Sequence, residues 1–182
     1  MAPRLPNGWG AVVFLPACTG QSAFTLRGCI PDYVVKKFCS RRAFIYFLEA
    51  WAQCAPLWCF APFINGPYIS FCDNEAACHA LIKGYGKDCS INSIISMFWA
   101  AACQFNCDPW LERVSSKANI SDGISRDDFS LAKIHNWVHL DIDFDAVWPI
   151  LIQASEDIEF ALTTGHATIC KTLQTQISTL LH

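Results

Sequence analysis

The sequence predicts an α/β domain in which short strands are joined by helical crossovers. Two patterns predict it: apolar runs closed by Pro, Gly or Asp-Asn turns, and longer apolar segments at helical spacing between them. A third observation bounds it: of 182 residues, 53% are hydrophobic and 16% charged. A chain of that size buries about two thirds of its unfolded surface, so one core forms without disulfides, and the composition lies far from the disordered class.

The elements follow in order. Trp9 to Leu15 enters from Pro6-Asn7-Gly8 and stops at Pro16, which reads as a strand, and Ala23 to Ile30 reads as a second, ending at Pro31. Asp32 to Ser40 suits a short helix opened at that proline. From Ala43 to about Phe60, Phe44, Phe47, Leu48, Trp51, Ala52 and Ala55 recur at helical spacing with Glu49 as the single charge, predicting a buried helix. Pro56, Pro62 and Asn65-Gly66-Pro67 would break any single helix continued from Ala50 to Cys72, so helix, turn and strand are expected there. Tyr68 to Cys72 is then a strand of parallel-sheet character ending at Asp73-Asn74, and Glu75 to Lys83 a helix closed by Gly84. Ile91 to Phe105 reads as a helix N-capped by Ser90, and Trp110 to Val114 as a strand bounded by Pro109 and Ser115. The pattern changes after Arg126. Residues 1–126 read as one α/β unit, and residues 127–182 as a helical C-terminal extension with an acidic turn, Asp141 to Asp145, and two helices, Val147 to Thr163 and His166 to Leu181.

Charge and cysteine usage limit the function classes. A net charge of -3 and a pI near 5.9 give no global basic field, so any contact with nucleic acid has to be local. The eleven cysteines contain no CxxC pair and sit among Phe, Ala and Trp, as in Leu57-Trp58-Cys59-Phe60, so they read as small buried hydrophobes in a reducing compartment, cytoplasmic or nuclear. The opening residues carry no apolar signal region. Ala50 to Cys72 is uncharged and long enough on paper to span a bilayer, but its prolines and Asn65-Gly66 argue for helix, turn and strand, and against a membrane. The five histidines share no spacing that suggests a metal or a general base.

Three acids stand out by position: Glu49 within the buried helix, Asp73 at the end of the buried strand, and Asp122 at the start of a short helix after the last strand. An ionised carboxylate in apolar surroundings is paired, neutralised or bound to a cation. Spacing alone is equally served by a partly exposed helix Glu, a turn Asp capping the Glu75 helix and an Asp N-capping the last helix.

The words around these acids form three blocks. They are Phe47-Leu48-Glu49-Ala50-Trp51-Ala52, then Phe71-Cys72-Asp73-Asn74-Glu75-Ala76-Ala77 running into Ala80-Leu81-Ile82-Lys83-Gly84, then Trp110 to Val114 followed by Ser115-Ser116-Lys117-Ala118-Asn119-Ile120-Ser121-Asp122-Gly123-Ile124-Ser125-Arg126. In this order they resemble the ribonuclease H-like domain of retroelement reverse transcriptases, most closely the lineage with tyrosine recombinases, over roughly residues 8–126. The resemblance implies a mixed sheet flanked by helices, and four carboxylates holding two Mg²⁺ (or Mn²⁺) ions that hydrolyse RNA in RNA–DNA hybrids. Two such ions about 4 Å apart clamp the attacking and leaving oxygens, and hard oxygen ligands suit them. On this resemblance Glu49, Asp73 and Asp122 are the catalytic and metal-binding acids. Asn74, Lys83, Arg113, Lys117, Asn119 and Arg126 flank them as contacts to phosphates or 2′-hydroxyls, with a solvated surface as the alternative for each lysine.

The sequence departs from the family at its first acid. The family's first aspartate precedes the Gly-Trp-Gly of its second strand, where this chain has Pro3-Arg4-Leu5. The expectation is therefore an N-terminally truncated domain without its central first strand, with Met1 a start inside a longer frame, little or no activity, and an exposed strand edge. Ser115 and Ile124 stand where the family usually has proline. The alternative is a non-catalytic remnant that binds nucleic acid or an upstream reverse transcriptase domain through the same face.

Overall fold

The structure, a computed structural model, describes residues 7–15, 23–38, 44–87, 89–154 and 156–181. Strand β1 (Gly8–Phe14) pairs antiparallel with β2 (Ala23–Cys29), in register from Gly8 opposite Cys29 to Phe14 opposite Ala23. After the short helix α1 (Asp32–Phe38) comes α2 (Phe44–Ile64), then β3 (Gly66–Cys72), α3 (Glu75–Lys83), α4 (Cys89–Gln104) and β4 (Cys107–Arg113). The two-helix connection lets β3 and β4 pair in parallel, Gly66 opposite Cys107 and Cys72 opposite Arg113. Asn74 N-caps α3 by accepting from Ala77 N, and Gly84, at φ 74, closes it. A 3₁₀ turn (Ser116–Ala118), α5 (Ser121–Ser125) and α6 (Ser130–Ile134) lead to β5 (Val138–Leu140), and α7 (Val147–Ala154), α8 (Ile158–Phe160), a π turn (Ala161–Gly165) and α9 (His166–Leu181) complete the chain. The architecture is mixed α/β, with a mixed sheet flanked by helices, as the sequence predicts.

Several local expectations are corrected. The helix read as ending near Phe60 continues to Ile64, with Pro56 and Pro62 inside it. A proline strips one carbonyl of its intrahelical donor four residues earlier. For Pro62 that carbonyl belongs to Trp58, and the side-chain amide of Gln174 on α9 donates to it at 3.5 Å. Strand β4 begins before Pro109 and contains it. Because Val114 N donates to Cys72 O, the residues of β4 that bond β3 are Asp108, Trp110 and Glu112, so the missing N–H of Pro109 faces away from the ladder. Helix α4 starts at Cys89, which places Ser90 inside it and not at its cap. The segment read as one helix over residues 147–163 breaks after Ala154. Residues 127–182 also add a strand, β5, which joins β2 in parallel through Phe24 opposite Val138 and Leu26 opposite Leu140. Three residues are too few to register as an apolar run.

Helix α2 is the spine. Between Ala50 and Ala61 it is buried except at Ala52, Gln53 and Pro56. Its Trp51 meets Trp9 of β1 edge-on at 6.2 Å and packs on Trp58, Phe144 and Trp148 at 5.2, 6.0 and 4.7 Å between ring centres. Ile169, Leu173 and Ile177 of α9 are buried at helical spacing, so one core draws on residues from both sides of position 126. Cys54, Cys59, Cys72, Cys78, Cys107 and Cys170 are buried thiols, as their apolar neighbours predict, whereas Cys29 is half-buried and Cys103, despite the alanines before it, is exposed near the end of α4. Among the described residues no helix is long and apolar enough to cross a membrane.

The strand order is β1-β2-β5 in one sheet and β3-β4 in the other. Both β1 and β3 rest on α2, and each presents one edge without a strand partner among the described residues. On β3 the backbone groups of Ile69 and Phe71 point to that open edge, and Gln53 of α2 covers part of it by donating to Phe71 O at 3.3 Å.

Candidate functional site

Three elements converge where β3 ends. Glu49 projects, half-buried, from the second turn of α2; Asp73 follows Cys72 at the end of β3; Asp122 lies in the first turn of α5. Helix α5 lies directly on β1 because position 10 is glycine: a Cβ there would sit 2.5 Å from Ser125 N and 3.0 Å from the Ile124 backbone. Ile124 is buried beneath α5, which fixes the helix and with it Asp122.

The electrostatics report the convergence. Burial pushes the Glu49 carboxyl up to about 7, and the charge of Asp73, a hydrogen bond shared with Asp73, and the charge of Asp122 push in the same direction. Two carboxyl groups in hydrogen-bonding contact cannot both ionise cheaply, which favours the protonated form of Glu49. The neighbouring Cys72 thiol is pushed up to about 12 by burial, with Glu49 and Asp73 adding to the shift and a backbone hydrogen bond at Asn74 opposing it. Asp122 is ion-paired: its Oδ1 lies 2.8 Å from Arg126 Nη2, one turn along the chain.

The donor set has the chemistry of a hard-cation site, since all three side chains offer carboxylate oxygens. Its arrangement falls short of one. Glu49 and Asp73 satisfy each other, Asp122 is held by Arg126, and no group of three or more His, Cys, Asp or Glu side chains among the described residues is arranged to hold a metal ion.

The residues expected to contact nucleic acid divide into three pairs. Arg126 stands at the site through Asp122, while Arg113 at the end of β4 is exposed and 3.9 Å from Glu75. Asn74 and Asn119 are engaged structurally: Asn74 caps α3, and Asn119 Oδ1 accepts from Ser121 N at 3.1 Å and Ser121 Oγ at 2.7 Å, shaping the entry to α5. Lys83 and Lys117 are solvent-exposed.

Two contributors escaped the sequence reading. Gln53, one turn after Glu49 on the same helical stripe, takes a hydrogen bond from Ser70 Oγ at 2.6 Å while donating to Phe71 O, and so ties α2 to β3 beside the acids. The i,i+4 spacing from Glu49 was the available signal. Gly10 is the second. It sits in Gly8-Trp9-Gly10, and the need for a missing side chain there comes from a helix distant in sequence. No protein-family model, no curated protein and no solved structure matches this chain.

Proposed function

We propose that the chain is a ribonuclease H-like domain of a retroelement reverse transcriptase whose ancestral work is metal-dependent hydrolysis of RNA in RNA–DNA hybrids, and that its site is incomplete as it stands. The observation that carries the reading is the meeting of Glu49, Asp73 and Asp122, acids from three distant words of the sequence, at the end of one parallel strand. Loops and helix starts offer many places for an acid, yet Glu49 and Asp73 share a hydrogen bond and Asp122 is near enough for its charge to act on Glu49. Strands β1 and β3 both rest on α2 and each lacks a strand partner on one edge among the described residues, which adds support, since a central strand bearing a fourth carboxylate would pair with such edges.

In this reading a completed site would hold divalent ions through Glu49, Asp73 and Asp122, and such ions would supply an activated water and charge to stabilise the leaving oxygen. The residues of the chain prepare for that work. Gly10 lets α5 bring Asp122 close, Gln53 fixes α2 against β3, and Asn74 caps the helix that starts beside Asp73. Arg113 and Arg126, with Lys83 and Lys117 further out, offer cations to a phosphate backbone on a chain whose net charge otherwise repels it.

The mutual pairing of the acids favours one alternative, a non-catalytic remnant that binds nucleic acid or a polymerase partner. A site whose carboxylates are neutralised by a shared proton and by Arg126 needs no metal to persist. Cleavage of a labelled RNA–DNA hybrid in Mg²⁺ and then Mn²⁺ separates the two. The comparison uses the chain itself, an Asp73→Asn variant, and a version with an Asp-bearing strand grafted before Gly8. Silence from the chain with cleavage by the graft is the expected result. Silence from both, with hybrid binding kept or strengthened in Asp73→Asn, would overturn the catalytic reading in favour of the remnant.

A further inference from the structure

Parallel strands normally have both faces covered. The β3–β4 pair does not: α2, α3 and α4 cover the face bearing Tyr68, Ser70, Cys72 and Leu111, while no element among the described residues covers the opposite face. That face carries Pro67, Ile69 and Phe71 from β3 and Asp108, Trp110 and Glu112 from β4, all exposed. Ile69, Phe71 and Trp110 are 60%, 58% and 68% exposed, and the register sets Ile69 directly opposite Trp110. Single exposed apolar side chains are ordinary, but three large ones side by side on a flat sheet mark a contact surface.

We infer that this face docks a basic amphipathic helix from another polypeptide segment. Charge selects the occupant. The apolar row of β3 is flanked along β4 by Asp108 and Glu112, with no lysine or arginine on the face, so a matching helix lays an apolar stripe on Ile69, Phe71 and Trp110 and sets Lys or Arg over the two acids. A second copy packed two-fold on the same face would oppose acid to acid. Glu112 already holds the Trp110 ring, accepting from its Nε1 at 3.3 Å, and so presents the indole in a fixed pose. Pro67 to Phe71 spans roughly 13 Å at strand rise, which about nine residues of helix cover. The inference is independent of whether the chain cleaves RNA.

The probe is a labelled synthetic helix of about 15 residues with leucines on one stripe and lysines beside it, compared with a twin carrying glutamates in place of the lysines, by fluorescence anisotropy on the full chain. The basic peptide binds saturably and the acidic twin does not; Ile69→Lys or Trp110→Ser weakens binding about tenfold or more. The pair Asp108→Lys and Glu112→Lys reverses the preference to the acidic twin. Equal binding of the two peptides, no binding, or binding indifferent to Ile69→Lys would overturn the inference. So would a concentration-dependent dimer in sedimentation that Ile69→Lys abolishes, since the occupant is then a second copy.

Discussion

The β1–β2–β5 sheet and the β3–β4 sheet rest on the same helix yet are held in different ways. The first is anchored by large side chains: Trp9 locks onto Trp51 and Phe144, Phe24 packs on Phe60 at 5.5 Å, and Leu26 is fully buried. The second is anchored by polar links, Ser70 Oγ and Phe71 O to Gln53 and the Cys107 thiol to Ala61 O at 3.6 Å, and it also buries the phenol oxygen of Tyr68 without a hydrogen-bond partner. The difference teaches where chemistry is affordable. Acids collect at the end of the sheet whose packing already contains polar groups, and the aromatic sheet supplies the rigid floor on which α5 lands.

Substitutions can break or sharpen this contrast. The largest effect is expected from Trp51→Ala, which removes the ring shared by β1, Trp58, Phe144 and Trp148 and destabilises the fold by about 3–5 kcal/mol in denaturant unfolding. Gly10→Val comes next, at about 2–3 kcal/mol, because its branched side chain drives into the α5 backbone; the same variant moves Asp122 away and lowers the titration midpoint of Glu49.

Glu49→Gln is expected to act through pH. A carboxyl raised to about 7 in the folded state from an ordinary 4.5 binds its proton more tightly folded than unfolded, so its contribution to stability falls as pH rises across that window. Glutamine lacks the penalty. At pH 8 the variant is more stable than the parent by about 1–2 kcal/mol, a figure already reduced for the site's partial exposure, and at pH 4 the gain is gone. Thermal melts across that range read the difference; an equal gain at both ends contradicts the pairing with Asp73. The smallest effect is Tyr68→Phe, which deletes a buried hydroxyl without a partner and leaves stability unchanged or raised by up to about 1 kcal/mol.

Strands β1 to β4 and the main helices were legible because each writes a local pattern, apolar runs between turn residues or helical spacing, while the three acids stood out by position and took a role only from the resemblance. What stayed illegible depends on distant partners. Two prolines read as helix breaks are tolerated in α2, and one of the carbonyls they orphan is met by Gln174, more than a hundred positions away. Pro109 fits inside β4 only because that strand lies at an edge and turns its proline nitrogen outward. Strand β5 takes its identity from β2, and the bare face of β3–β4 cannot be told from a covered one by alternation, since Ile69, Phe71 and Trp110 look like core in the sequence. Asp73 was read as a possible helix cap, and the cap proved to be its neighbour Asn74, which leaves the aspartate side chain for Glu49.

The central claim is that Glu49, Asp73 and Asp122 form one electrostatic site, and the direct measurement is the titration of the Glu49 carboxyl carbon by NMR in the chain and in Asp73→Asn. The account predicts a midpoint near 7 in the chain, dropping toward the ordinary carboxyl range when the Asp73 charge is removed. A midpoint near 4.5 in the unmodified chain, or one indifferent to Asp73→Asn, would show that the acids do not share a site and would remove the main support for the proposed chemistry.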